Sequence, residues 1–246
     1  TWTAPHQSDL PLLAHLLDKF DDVNVVDVGC SYGLTSLQYA RFLDSFGVQP
    51  KVFAFDPGKA GRLAPLNFVN NGYADIQFND CAVSDVNGHV LMYLEHGHGE
   101  NNRIINRRST PFSRSWPVKS VTLDRFLDEH DVAGDVFLKI DTQGAEFEVL
   151  NGALRTRQER CVAGVLEFSP WSLKSRIDPV DFLKSLIDEF IVIHIGVLRD
   201  QLRLLDPQGC AEYVAELRSS PKNYTDLLFF PPSLPGVERL RTIYGI

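Results

Sequence analysis

The octapeptide KIDTQGAE, residues 139 to 146, brings two carboxylates, an ammonium group and an amide together at the end of an apolar run. Asp141 is a candidate proton acceptor or the cap of the following helix, and the two roles are compatible. Lys139 precedes Asp141 by two residues, so both point to the same side of a strand and Lys139 is a candidate charge partner. Glu146 falls in the first helical turn, where a carboxylate complements the helix dipole, which favours a structural role.

Three further side chains have the chemistry of a proton acceptor. Glu167 ends the apolar stretch VAGVLEF and is costly to bury unpaired, so it either lines a cleft or is tied to a lysine or backbone amide. His96 and His98 lie in the polar stretch EHGHGENN, where a histidine is either a base suited to neutral pH or simply solvated. Asp141 and Glu167 have oxygen ligands for a divalent cation, but no third carboxylate accompanies them, so a metal site has little support.

A glycine-containing turn, DVGCSYG, follows the first apolar run. Gly29 and Gly33 allow the backbone to approach a ligand closely. A dinucleotide fingerprint GxGxxG from Gly29 would require glycine at positions 31 and 34, where Ser31 and Leu34 stand. The pattern Asp-x-Gly-x-Ser-x-Gly instead resembles the acidic-x-Gly-x-Gly-x-Gly motif of S-adenosylmethionine (SAM) dependent methyltransferases, with serine for the middle glycine. The alternative is a tight turn without a ligand.

More candidates for a cofactor follow the next two apolar runs. Asp56 ends FAFDP, where an acidic side chain accepts hydrogen bonds from both ribose hydroxyls, unless it caps the next helix. In NDCAVSD, Asp80 is in place to reach the exocyclic amine of adenine and the Ala82 backbone to lie against the ring, although the segment also fits a plain turn. The predicted cofactor-binding residues are Asp27, Gly29, Cys30, Ser31, Tyr32, Gly33, Asp56, Pro57, Asp80, Cys81, Ala82 and Asp141.

Short β-branched or aromatic runs alternate with helical patterns, which predicts a parallel sheet with helices on both faces. Ligands of such sheets bind at the carboxyl ends of the strands, where the residues above are found. The expected strands are 23–28, 51–55, 75–78, 135–140, 162–168, 190–195 and 226–230, and an additional helix is expected within residues 1–22. Residues 197–206 resemble a hairpin continuation before a helix at about 208–219.

Residues 86–120 interrupt the alternation and look like two strands that flank a polar excursion, the kind of long insertion that is often functional. Trp116 either stacks on a sugar face or anchors the returning strand. Five cations lie between residues 101 and 119, a stretch without an acidic residue, and they either recognise an anionic group on an acceptor or are solvated. They are Arg103, Arg107, Arg108, Arg114 and Lys119.

The composition bounds the class of protein. A chain of 246 residues with 44% hydrophobic residues is expected to form a single domain over 1–246. The net charge of −8 argues against a protein that grips nucleic acid or an anionic membrane. Four widely spaced cysteines predict reduced thiols in a cytoplasmic protein, and no apolar run approaches the roughly 20 residues of a membrane span. No signal peptide is evident.

Seven segments resemble, in order and spacing, the FkbM-type SAM-dependent methyltransferases over roughly residues 23–170: DVGCSYGLTS, FAFDP, NFVNNG, CAVSDVNG, VTLDRFL, LKIDTQGAEFEVLNGA and VLEFSP. The resemblance implies an α/β, doubly wound, Rossmann-like class I methyltransferase sheet of seven strands, the last antiparallel, with an extra β excursion after the third. It also implies SAM as cofactor and methyl transfer to a hydroxyl of a sugar, glycan or secondary metabolite.

A hydroxyl acceptor must lose its proton as it attacks, so the candidate catalytic residues are Asp141, Glu167, His98, His96 and Lys139. The family usually reads Asp-Val-Gly-Ala-Asn-x-Gly and Lys-Ile-Asp-Val-Glu-Gly-Ala-Glu, and this chain departs from it at positions 30, 31, 142 and 143. Gln143 excludes a mechanism that uses a carboxylate there as base or metal ligand. Two alternatives remain: a nicotinamide-dependent oxidoreductase, and a non-catalytic protein that binds SAM. The sequence does not encode the oligomeric state.

Overall fold

The computed structural model describes residues 9–94, 102–105, 115–195 and 202–246, and for residues 94 and 102–105 it describes the backbone alone. The strands in chain order are β1 Val23–Val28, β2 Val52–Phe55, β3 Gln77–Asn79, β4 Ala82–Val83, β5 Gly88–Leu94, β6 Asn102–Ile105, β7 Ser115–Val121, β8 Asp135–Ile140, β9 Val162–Phe168, β10 Ile191–His194, β11 Arg203–Leu204 and β12 Thr225–Phe230.

The main sheet has the strand order β3-β2-β1-β8-β9-β12-β10-β11. Strands β3, β2, β1, β8 and β9 pair in parallel, whereas β12 is antiparallel to both β9 and β10. All seven expected strands are present, and the antiparallel orientation of the last one is confirmed. The short β11 pairs antiparallel with β10 and adds an eighth strand to the expected seven.

Helices cover both faces of this sheet because alternate residues of each strand point to opposite sides. The helices are α1 Leu10–Lys19, α2 Leu34–Ser45, α3 Ala64–Asn70, α4 Leu123–Glu129, α5 Glu146–Asn151, α6 Leu154–Glu159, α7 Pro170–Leu173, α8 Pro179–Glu189, α9 Cys210–Ser219 and α10 Val237–Tyr244. Val25 of β1 belongs to the buried cluster that contains residues of α1, α2, α3 and α10, while Val26 belongs to the cluster that contains residues of α4, α5, α8 and α9. The doubly wound α/β architecture is thus confirmed.

Local signals place several helix ends as expected. The side chain of Asp178 accepts hydrogen bonds from the backbone of Val180 and Asp181 at the start of α8. Asp141 does not cap a helix, because α5 begins only at Glu146 and its N-cap is Ala145. None of the helices in the described ranges is both long and apolar enough to cross a bilayer.

The expected excursion forms a second sheet with the order β4-β7-β5-β6. Strands β5 and β7 pair antiparallel over their length, as the sequence predicts, and β6 adds a third strand to the excursion. Ala82, Met92 and Val118 form a small core of their own, against which Trp116 packs. That contact favours the anchoring role of Trp116 over stacking on a sugar.

Candidate active site

An open cleft of about 200 Å³ lies where the carboxyl ends of β1, β2 and β8 meet the second sheet. Seven of the predicted cofactor-binding residues line it: Gly29, Ser31, Asp56, Pro57, Cys81, Ala82 and Asp141. The sequence analysis missed Val28, Phe55, Ala60, Val83, Met92 and Thr142 as lining residues, and noted Gln143 only for its departure from the family pattern. The lining of the cleft therefore combines acidic and amide groups with apolar side chains.

The glycine-containing turn after β1 is fixed at Gly29. Its φ is +85°, and its backbone N–H donates to the Phe55 carbonyl over 2.9 Å. A β-carbon at this position would lie only 1.9 Å from the carbonyl oxygen of Asp141. Ser31 also has a positive φ, of +49°, so the expected tight turn forms although serine replaces glycine there.

Asp56 ties this turn to the end of β2. Its Oδ2 accepts a hydrogen bond from the backbone N–H of Ser31 over 2.8 Å, and its Oδ1 accepts one from Gly58 over 2.6 Å. Burial raises the pKa of Asp56, while these two hydrogen bonds act in the opposite direction. Each carboxylate oxygen can accept a second hydrogen bond, so the side chain retains capacity for ligand hydroxyls.

Asp27 lies behind the turn rather than in the cleft, since it is fully buried and is not a lining residue. Its Oδ2 accepts a 2.6 Å hydrogen bond from Ser36 of α2. Its Oδ1 lies 3.7 Å from the ammonium nitrogen of Lys139. Burial raises the pKa of Asp27, and Lys139 opposes that rise. The acidic residue of the turn motif therefore has a structural role: it links β1 to Ser36 of α2 and to Lys139 of β8.

Lys139 bridges this hidden carboxylate and the cleft. Its side chain is 8% exposed, and Nζ lies 3.3 Å from Oδ2 of Asp141. Burial alone would lower the pKa of Lys139, but Asp141 and Asp27 raise it above its ordinary value. The charged form of the ammonium group is thereby stabilised, which favours a role of Lys139 as a charge partner over a role as a proton acceptor.

Gln143 connects the two candidate carboxylates. Its Nε2 donates to Oδ1 of Asp141 over 2.9 Å and to Oε1 of Glu167 over 3.2 Å. Nothing in the sequence indicates this bridge, because Glu167 is 24 residues away on another strand. The amide thus occupies the place of the family's carboxylate and makes contacts that a second anion could not make.

Glu167 lies on β9, with Asp226 of β12 as its cross-strand partner. Burial raises the pKa of Glu167 to about 9, and Asp141, Glu146 and Asp226 add to the rise. Glu167 is not a lining residue of the cleft, but it accepts a hydrogen bond from Gln143, which is one. Below such a pKa the carboxyl group carries its proton, and its ionised form is a stronger base than that of an ordinary glutamate.

Glu146 shapes the loop that carries this amide. It is 1% exposed, and its Oε1 accepts hydrogen bonds from the N–H and hydroxyl of Thr142 and from the N–H of Gly144, over 3.0–3.1 Å. Burial raises the pKa of Glu146 despite these bonds. These contacts support the structural role expected for it.

Four other predicted cofactor residues lie outside the lining of the cleft. Cys30 is buried, with its thiol donating to the Ser31 carbonyl over 3.7 Å. Tyr32 is partly exposed, and Gly33 sits at the N-terminus of α2, where a β-carbon would meet the Phe68 ring. The fourth, Asp80, pairs with Arg62 at the surface over 3.1 Å.

Of the predicted anion-binding cations and the loop histidines, Lys119 is the one whose side chain the structure describes. His96, His98, Arg107, Arg108 and Arg114 lie outside the described residues, as does the side chain of Arg103. Lys119 is exposed on β7 and lines a separate depression beyond Cys81, not the main cleft. Within the described part of the chain, no three side chains of histidine, cysteine, aspartate or glutamate are grouped to hold a metal ion.

The comparisons with known proteins identify the family. The family model of the methyltransferase FkbM domain matches residues 27–189, more than half of the chain. No curated protein matches the sequence. Among solved structures, the chain is similar to the crystal structure of precorrin-6y C5,15-methyltransferase from Geobacter metallireducens GS-15. The sequence identity is 9% and the TM-score 0.39, with 94% of this chain and 92% of that chain covered.

Proposed function

This chain belongs to the FkbM methyltransferase family, and from this premise we propose that its cleft binds SAM and transfers the methyl group to a hydroxyl oxygen of a sugar, glycan or secondary metabolite. The hydroxyl oxygen that receives the methyl group belongs to a small-molecule or glycan acceptor. The observation that carries the proposal is the pair of carboxylates, Asp141 and Glu167, joined by Gln143 at the carboxyl edge of the sheet.

The chemistry of the lining residues fits SAM. The carboxylate of Asp56, held by the backbone of Ser31 and Gly58, has free lone pairs for the two ribose hydroxyls. Phe55, Val83 and Met92 offer an apolar surface for adenine. At the other end Asp141 provides the negative charge that suits a sulfonium or an ammonium group.

The chain's own residues have separate tasks in the transfer. When bound, SAM supplies an electrophilic methyl group on a leaving group that needs no protonation. Asp141 is fixed by Lys139 on one oxygen and by Gln143 on the other, so it holds the positive charge of the donor in place. Glu167 accepts the proton of the acceptor hydroxyl as the new oxygen–carbon bond forms. Correct alignment of donor and acceptor supplies much of the remaining rate.

Binding and turnover test this proposal separately. Calorimetry with SAM and with its product, S-adenosylhomocysteine, should show binding of both, and an absence of binding at millimolar ligand would contradict the proposal. Transfer of labelled methyl groups from SAM to pools of glycans and hydroxylated metabolites should then yield a labelled methyl ether. Binding without transfer to any pool would favour a non-catalytic SAM-binding protein, and thermal stabilisation by NAD or NADP alone would favour an oxidoreductase.

The remaining expectations are part of the same proposal. All four cysteines are free thiols in the structure, which supports a reducing compartment such as the cytoplasm. We infer one catalytic domain over residues 1–246, with the second sheet on the substrate side, since Met92 of that sheet lines the cleft. No divalent cation is required, because Lys139 already neutralises charge beside Asp141.

A further inference from the structure

Gln143 has a backbone that costs energy to hold. Its φ is +58°, a region that residues other than glycine rarely occupy. Gly144 follows with a φ of +113°, and a β-carbon there would lie 2.9 Å from the Ser172 carbonyl. The turn is therefore packed into this shape, and it directs the Gln143 side chain between Asp141 and Glu167. An amide that is fixed at such a cost is a candidate for a role in the chemistry.

The charges around Glu167 are unbalanced in favour of negative groups. Asp141 on β8, Glu146 on α5 and Asp226 on β12 all act on it, and the phenol of Tyr224, just before β12, is close enough to feel its charge. Lys139 is the cation that opposes them, and it is already shared between Asp27 and Asp141. In the ligand-free protein, protonation of Glu167 therefore lowers the negative charge of this group of carboxylates by one.

The Gln143 amide is suited to both charge states of Glu167. One hydrogen of Nε2 is directed to Asp141, and the other to Oε1 of Glu167. A neutral amide adds no charge to the cluster, whereas a glutamate at this position would add a further carboxylate. Within the described part of the chain, the hydrogen bond from Gln143 is the one that reaches the carboxyl group of Glu167.

We propose that Gln143 is a positioning residue that holds Glu167 beside Asp141, so that Glu167 keeps its proton until the cationic methyl donor enters the cleft and then releases it. This inference rests on the proposed function. The sulfonium charge of SAM would replace the proton as the neutralising charge, and Glu167 would be left ionised and able to accept a proton. A positive charge within about 4–6 Å lowers the pKa of a carboxyl group by roughly 1–3 units.

The proton and charge balance closes over one turnover. The proton displaced from Glu167 on SAM binding goes to solvent. In the transfer step the acceptor oxygen forms a bond to the methyl carbon, the carbon–sulfur bond breaks, and its electron pair stays on sulfur. The hydroxyl proton moves to Glu167, so the neutral thioether product faces a neutral glutamic acid, and the free state is restored when the product leaves.

Proton release measured by calorimetry tests the inference. Titrations of SAM into the protein at pH 8, in two buffers of different ionisation enthalpy, give the number of protons released per SAM bound. We expect the wild type to release at least about half a proton more than Glu167→Gln, and S-adenosylhomocysteine to release none beyond that variant. Glu238→Gln, an exposed glutamate on α10, should release as much as the wild type and serves as the matched control.

Two substitutions test Gln143 itself. Gln143→Leu removes the amide, and Gln143→Asn leaves one too short to reach both carboxylates. Both should still bind SAM, but the ionised form of Glu167 loses its hydrogen-bond donor, so we expect proton release at pH 8 to fall by at least half and to move to higher pH. A purely structural role would lower the melting temperature without changing proton release.

The outcomes are separable. If the wild type binds SAM and releases as many protons as Glu167→Gln, the inference is overturned while the proposed function stands. If both Gln143 variants release like the wild type, Gln143 is not the positioning residue. If the wild type fails to bind SAM at all, the proposed function falls and takes the inference with it.

Discussion

The backbone of Gly29 lies against the carbonyl oxygen of Asp141 so closely that a β-carbon at position 29 would be 1.9 Å from that oxygen. The Asp141 backbone N–H in turn donates to the Val28 carbonyl over 2.9 Å. The turn that is proposed to hold the donor and the loop that carries Asp141, the proposed charge partner of the donor, are therefore one packed unit. A substitution that displaces the backbone of the turn is therefore expected to displace the loop as well, and the reverse also holds.

Gly29→Ala should destabilise the protein severely, because it adds a steric clash with backbone atoms to the cost of a positive φ. Urea unfolding should show a loss of at least about 3 kcal/mol. The matched control is Gly47→Ala, whose φ is +70° but whose β-carbon would meet no atom within 4 Å. That control should lose only about 1–2 kcal/mol. Equal losses at the two positions would contradict the packing described for Gly29.

Lys139→Met should destabilise the fold by about 3–5 kcal/mol, because it leaves the buried Asp27 and the half-buried Asp141 without their shared cation. Lys51→Met, which removes a surface pair with Asp22, should change stability by less than about 1 kcal/mol. Chemical unfolding at pH 7 measures both. A stability of Lys139→Met close to that of the wild type would show that Asp27 is already neutral in the folded protein.

Glu167→Gln should make the protein more stable at alkaline pH. The pKa of Glu167 is raised to about 9 in the folded state, against an ordinary value near 4.5, so the folded state binds more protons than the unfolded state between these pH values. The stability of the wild type therefore falls through this group as the pH rises from about 4.5 towards 9. The variant lacks this loss and should exceed the wild type by about 2–5 kcal/mol at pH 8, with no difference near pH 4.

The measurement for Glu167→Gln is a series of melting curves from pH 4 to pH 9 for both proteins. Other groups with raised pKa values, such as Asp27 and Glu146, are present in both proteins, so the difference isolates Glu167. A constant difference across the series would mean that folding does not raise the pKa of Glu167.

Asp56→Asn should weaken SAM binding by about tenfold to a hundredfold, because the amide loses charge and one acceptor oxygen towards the ribose and the turn. Asp80→Asn is the matched control, since Asp80 pairs with Arg62 outside the lining of the cleft, and its affinity for SAM should be unchanged. Calorimetry measures both, with melting temperatures as a check on folding. An unaltered affinity in Asp56→Asn would remove Asp56 from the binding site, and a loss in Asp80→Asn would restore Asp80 to it.

The strands and their order of appearance could be predicted because each signal is local. Val23–Val28 and Asp135–Ile140 are short runs dominated by β-branched and other apolar residues, and Asp178 caps α8 by accepting from the backbone two and three residues further on. The short β11, Arg203–Leu204, lies in the segment 197–206 that was expected as a hairpin continuation, and it pairs antiparallel with β10.

The parts of the site that escaped prediction depend on contacts between distant segments. Asp27 was expected in the cleft, but its side chain points back to Ser36 and Lys139, which the motif does not encode. Met92 reaches the cleft only because the second sheet docks there. Gln143 was recognised as unusual from the sequence, but its double contact required the positions of both β8 and β9.

The position of β12 constrains how the chain can be assembled during synthesis. β12 lies between β9 and β10, and β10 with β11 joins the main sheet through β12 alone. Until residues 225–230 have left the ribosome, both β9 and β10 present open hydrogen-bonding edges, which are prone to aggregation. A chain that stops before residue 225 thus lacks the strand that joins the two halves, and completion of the sheet has to wait until residues 225–230 have been made.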